Sequence, residues 1–107
     1  MSGSFGEMGN LLKQAQKMQQ AMDEAREELS TTTVEGTSGG GVVTVTVTGD
    51  GQVQKVAITD EALQATDKSI LEKLVLDAVR DGITKAERVR TERMSKVTGG
   101  LHLPGLM

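Results

Sequence analysis

The chain reads as an α+β fold in the order helix, three-stranded antiparallel β-meander, long helix (αβββα). Three observations predict it. Residues 8–29 set Met8, Leu11, Ala15, Met18, Met22, Ala25 and Leu29 at heptad spacing among Gln, Glu, Lys, Asp and Arg, the narrow seam of a helix that another helix covers. Residues 42–48 alternate, with Val43, Val45 and Val47 on one face and Thr44, Thr46 and Thr48 on the other, the period-two mark of a half-buried strand. Residues 67–96 return to helical spacing and stop before Gly99 and Gly100.

Local chemistry justifies each element in turn. The first helix is expected over 7–29, because Ser30 is followed by Thr31, Thr32 and Thr33, whose β-branched side chains favour extended backbone. A short strand is expected over 31–36, after which Gly36, Gly39, Gly40 and Gly41 punctuate the chain. The second strand spans 42–48. Gly49, Asp50 and Gly51 then reverse the chain, since Asp-Gly readily supplies the positive φ of a tight turn. A third strand is expected over 52–59. Its apolar parity slips between Val53 and the pair Val56 and Ile58, which predicts either a bulge near Gln54 and Lys55 or an early turn-proximal contact from Val53.

The second helix, 67–96, is capped either by Asp67 or by Ser69 in a box with Glu72. Ile70, Leu71, Leu74 and Ala78 share one face and Val75, Val79, Ile83, Ala86 and Val97 a rotated one, so its first half is expected to pack on two sides. Ala78, Gly82 and Ala86 form a small-residue ridge. Gly82 costs about 1 kcal/mol of helix propensity relative to Ala, and close packing against another backbone or a slight bend is the compensating gain. A flexible tail over 99–107 carries His102 and Pro104.

The length of 107 residues implies one domain, spanning 1–107. Phe5 is its only aromatic residue, so the large buried areas that aromatic side chains bring to a core are missing. Self-association that merges two small cores is the expected remedy. On that reading Val43, Val45, Val47, Val56 and Ile58 belong to a core completed by a second chain, and Gly82 lies at the dimer interface. The absence of cysteine excludes disulfides and thiolate metal sites and fits a reducing compartment. No basic-then-apolar leader opens the chain and no apolar run approaches a membrane span, so it is read as soluble and cytoplasmic.

Catalytic constellations are lacking. With one histidine, His102, and no cysteine, the common nucleophile–base pairs cannot be assembled within a chain. The Gly36–Gly41 cluster looks superficially like a phosphate loop, but it precedes a strand and lacks the Lys-Ser/Thr ending. Asp23, Glu24, Glu27 and Glu28 read as a solvated helix face. No enzyme activity, cofactor, metal or small-molecule substrate is expected.

Charge distribution is more informative than net charge. The chain totals −3, yet residues 80–96 set Arg80, Lys85, Arg88, Arg90, Arg93 and Lys96 against Asp81, Glu87 and Glu92, a local +3 that leaves −6 elsewhere. Lys85, Arg88, Arg93 and Lys96 fall within one broad arc of the helix, a stripe able to lie along a phosphate backbone. The plainer alternative is that basic residues near a helix C-terminus complement its dipole. The shortage of aromatics argues against stacking on single-stranded bases.

The run Gly9-Asn10-Leu11-Leu12-Lys13-Gln14-Ala15-Gln16-Lys17-Met18-Gln19, the Val34-Glu35-Gly36 and Gly39-Gly40-Gly41 segments before a Val/Thr strand, and the closing Met94, Gly99-Gly100 and Leu103-Pro104-Gly105 resemble the YbaB/EbfC nucleoid-associated proteins. The resemblance covers about residues 5–106. It implies an intertwined, tweezer-like homodimer that binds double-stranded DNA with little sequence preference, is associated with the nucleoid, and is often encoded beside recombination-repair proteins. Carried over by position, the basic residues of the arms are Lys13 and Lys17 on the first helix and Lys85, Arg88, Arg90, Arg93 and Lys96 on the second. The chain departs from the family pattern at Asp60-Glu61, where Pro is frequent, and at Arg80 and Gly82, where Asn and Ala are common. The other reading is a protein-interaction module, holding a recombination-repair protein through the seam and the Gly/Leu/Pro tail.

Overall fold

The computed structural model describes residues 2–99, with side chains from Gly6 onward. The tail beyond Gly99, with His102, lies outside the described residues. Helix α1 spans Ser2–Thr31, past the expected end at Leu29. The hydroxyls explain the extension. Ser30 Oγ donates to Glu27 O (2.6 Å), and Thr31 and Thr32 Oγ1 both donate to Glu28 O (3.0 and 2.9 Å), which also accepts the Thr32 N–H (3.0 Å), so local side-chain bonds reinforce the last turn. Strand β1 therefore begins two residues later than expected, at Thr33–Ser38.

Strands β2 (Val43–Thr48) and β3 (Val53–Ile58) complete an antiparallel sheet in the order β1-β2-β3. A single 3-10 turn, Gly39–Gly41, joins the first two strands with φ of 59°, 73° and 100°, values that side-chain-bearing residues rarely adopt. In the β2–β3 hairpin only Gly51 takes positive φ, and its N–H donates to Thr48 O (2.9 Å). Asp50 instead accepts a hydrogen bond from the Thr48 hydroxyl. Thr46 pairs with Lys55 but Val47 with Val53, so Gln54 is the extra residue of a bulge, the first of the two alternatives that the parity slip allows.

No helix is expected from the sequence between β3 and the last helix, yet α2 spans Asp60–Ala65. Thr59 caps it by accepting from Ala62 N (3.2 Å), with Asp60 and Glu61 in the first turn to complement its dipole. Helix α3 then spans Lys68–Gly99. Asp67, not Ser69, is its cap: Asp67 Oδ1 accepts from Ile70 N and from Ser69 Oγ, both at 2.9 Å. These bonds hold the Asp67 carboxyl below the ordinary aspartate pKa, the Ile70 N–H contributing most.

Helix α3 lies across β1 and β2. Val43, Val45 and Val47 are fully buried against Ala78 and Ala86, with Leu71, Leu74, Val75, Val79 and Ile83 packed around them. The close approach expected of the ridge occurs inside one chain. A Cβ placed on Gly36 of β1 would lie 2.6 Å from Gly82 Cα, and one on Gly82 would meet Val47 Cγ2 at 2.7 Å. For Val43, Val45, Val47 and Gly82, then, cover comes from their own chain.

Strand β3 has no such cover. Val53, Val56 and Ile58 pair with Val47, Val45 and Val43 and share their apolar face, yet remain 45%, 45% and 40% exposed because α3 stops short of them. Ile70 and Leu76 of α3 are exposed as well, so the first half of α3 packs on one side rather than two. The chain is elongated, 77 × 24 × 16 Å with a radius of gyration of 21.1 Å, against about 13 Å for a compact domain of this length.

Candidate nucleic-acid interface

The long axis belongs to an arm in which α1 and the second half of α3 run antiparallel. Helix α3 passes Ser38, where Leu74 O accepts from Oγ, then Glu35 at Lys85, and then reaches α1 at Arg93. Ala25 and Leu29 of α1 and Val97 of α3 are buried along this contact, and Met18 and Met22 are half-buried. The heptad seam is thus paired with a helix of its own chain over its C-terminal half. Met8, Leu11 and Leu12 at the other end remain 60%, 61% and 60% exposed.

The arm carries all seven basic residues that the family resemblance implicates, but the structure divides them. Lys85 Nζ lies 3.0 Å from Asp81 Oδ2 and donates to Glu35 O at 3.0 Å. Arg93 Nε pairs with Glu28 Oε2 at 2.7 Å. Both cations have carboxylate partners and bind elements of the fold together. Arg88, Arg90 and Lys96 have no carboxylate within ion-pair distance among the described residues, and Lys13 and Lys17 are exposed on α1.

Arg90 also leaves the stripe. At about 100° per residue it lies about 120° around α3 from Lys96, on the far flank of the buried Ala86–Val97 ridge. There it lines an open cleft of about 590 Å³ with Arg26 and Leu29 of α1, Asp50 of the hairpin, and Met94 and Ser95. Arg26 belongs to no basic cluster or apolar period in the sequence, so no linear signal marks it. Its guanidinium is 3.7 Å from Asp23, an exposed pair one helical turn away that contributes at most about 1 kcal/mol. The cleft sets two guanidiniums and the hydroxyls of Thr91, Ser95 and Thr98 beside the Asp50 carboxylate over a partly apolar floor. Elsewhere on α3, the Asp81 carboxyl is held below its ordinary pKa, first by the Thr37 N–H (2.9 Å) and then by Lys85.

The family model of the YbaB/EbfC DNA-binding family matches residues 5–101. The chain belongs to the YbaB/EbfC family. Among its relatives, a nucleoid-associated protein of Acetivibrio thermocellus is 44% identical over 105 residues, 97% of this chain and 93% of that protein. A nucleoid-associated protein of Ruminiclostridium cellulolyticum is 40% identical over 105 residues, 97% and 91% of the two chains. The crystal structure of an uncharacterized Helicobacter pylori protein superposes with a TM-score of 0.71 at 27% identity, covering 89% of this chain and 97% of that one. The fold of this YbaB/EbfC chain is therefore shared with that structure. No helix among its described residues is long and apolar enough to cross a membrane.

Proposed function

We propose that this YbaB/EbfC chain acts, without catalysis, as a homodimer that binds double-stranded DNA through phosphate contacts, with little sequence preference, in the nucleoid of the cytoplasm. The carrying observation is the arm, from whose two antiparallel helices project Lys13, Lys17, Arg88, Arg90 and Lys96, clear of any ion pair among the described residues, and the weakly paired Arg26. Scattered Lys and Arg position a protein on a backbone and leave base edges largely unread.

Dimerisation is supported by β3. Its uncovered valines continue the sheet's own core row, and its outer edge offers unpaired N–H and C=O groups, a surface that soluble proteins normally cover. A second copy of the same strand supplies both apolar cover and symmetry. Val56 and Ile58, with Val53, are the interface residues of this reading, and two arms then project from a shared centre to engage DNA.

Titration of unrelated duplexes at two salt concentrations tests the reading. Similar affinities across sequences and a steep fall with salt are expected. No duplex binding at low salt overturns it and favours an interaction module that holds a recombination-repair protein.

A further inference from the structure

The sheet has two outer edges, and the fold treats them differently. The Thr48 N–H and C=O bond to Gln52 O and Gly51 N in the hairpin, so Thr48 directs its backbone groups toward β3. Because these groups alternate in direction along a strand, Val43, Val45 and Val47 direct theirs toward β1, where they meet Ser38, Gly36 and Val34. The backbone groups of Thr33, Glu35 and Thr37 therefore point away from the sheet, along the outer edge of β1. An edge of this kind is a template for a further strand unless something blocks it.

Side chains of α3 block it. Asp81 Oδ2 accepts the Thr37 N–H at 2.9 Å, and Lys85 Nζ donates to Glu35 O at 3.0 Å. The ammonium and the carboxylate, one helical turn apart, are themselves paired at 3.0 Å. Glu35 C=O and Thr37 N–H are the groups to which an added parallel strand would bond one residue, through that residue's own N–H and C=O. Lys85 and Asp81 stand in those places. An antiparallel strand would need the same groups and is obstructed as well. The Gly36–Gly82 contact brings the pair within reach, because it sets α3 so close to β1 that residues 81 and 85 overhang the edge. Among the described residues, no side chain hydrogen-bonds to the backbone of β3.

We infer that the Asp81–Lys85 pair is an edge guard, which closes β1 to strand addition by another copy of the chain. With β3 as the pairing edge, a reading argued above on which this consequence rests, an open β1 would let pairs join into an open strand-to-strand array. The guard stops assembly at a closed, symmetric pair.

Asp81→Ala with Lys85→Ala removes both blocking groups. In sedimentation over a roughly hundredfold range of concentration, this double variant should reach at least about twice the parent's weight-average mass while keeping its helical content. Thr37→Pro, added to the pair, deletes the edge N–H and should return the mass to that of the parent. An unchanged mass in the double variant overturns the guard. So does growth that Thr37→Pro leaves in place, which would mark non-specific aggregation. The parent's own mass reports separately on β3: a monomeric parent overturns the dimer reading, while the guard is still read from the change. A second measurement needs no variant. In the parent, the Thr37 amide should exchange with deuterium at least about tenfold more slowly than that of Glu35, which lies on the same edge with no hydrogen-bond acceptor among the described residues. Equal rates overturn the proposal.

Discussion

Gly36 of β1 and Gly82 of α3 meet backbone to backbone, with no room for a side chain on Gly36 and little on Gly82. This contact sets how closely α3 rides on the sheet, and so how completely Val43, Val45 and Val47 are sealed. Gly82→Leu should destabilise the fold by about 1–3 kcal/mol through overpacking against Val47. Gly82→Ala should cost less, since it recovers about 1 kcal/mol of helix propensity while its Cβ crowds chiefly Val47. Urea denaturation monitored by circular dichroism distinguishes them. A Leu variant more stable than the parent would show that helix propensity governs the position.

The division of the valines predicts two different phenotypes. Val45→Asp buries an unpaired charge and should abolish folding, because such a group costs several kcal/mol. Val56→Asp alters a half-exposed side chain and should leave helical content intact while sedimentation shifts from dimer to monomer. A Val56 variant that stays dimeric would move the interface off β3.

Removal of arm cations should act unequally. Arg88→Gln with Lys96→Gln should weaken binding to unrelated duplexes by similar factors, and should flatten the plot of log affinity against log salt by about 0.9 for each phosphate no longer neutralised. Arg26→Gln with Arg90→Gln reads the cleft in the same way. Lys85→Gln should instead lower stability modestly with little change of slope, because that ammonium is held by Asp81 and Glu35. A slope unchanged in both double variants would place DNA elsewhere on the dimer.

Asp81 gives the fold an acid-sensitive tie between α3 and β1. Its folded-state pKa lies below the ordinary 3.8, chiefly because the carboxylate accepts the Thr37 N–H. A depressed carboxylate contributes stability that is fully present above the unfolded value and is lost as pH falls through the folded one. Asp81→Asn should therefore be less stable than the parent at neutral pH, and the gap should close below pH 3.8. Denaturation midpoints from neutral pH down through the acid range provide the check; a gap independent of pH would remove the carboxylate from the account.

The sequence by itself determined the order of the main elements and the face that β2 presents, and offered the bulge as one of two alternatives, because period and parity are local properties that survive without knowledge of neighbours. It also located the Asp67 cap, as one of two alternatives, and the small-residue ridge. The Thr59–Asp60–Glu61 start of α2 was equally local, but the segment is too short to show a period. Tertiary structure alone decided which neighbour covers each face. Val45 and Val56 stand side by side with the same apolar chemistry, yet α3 seals one and leaves the other half-exposed. It likewise decided which cations are free: Arg93 is neutralised by Glu28, 65 residues away in sequence, whereas Arg26 and Arg90, unrelated in the linear pattern, are brought to one cleft by the crossing of α1 and α3. Periodicity sets the face of an element; only packing sets what that face meets.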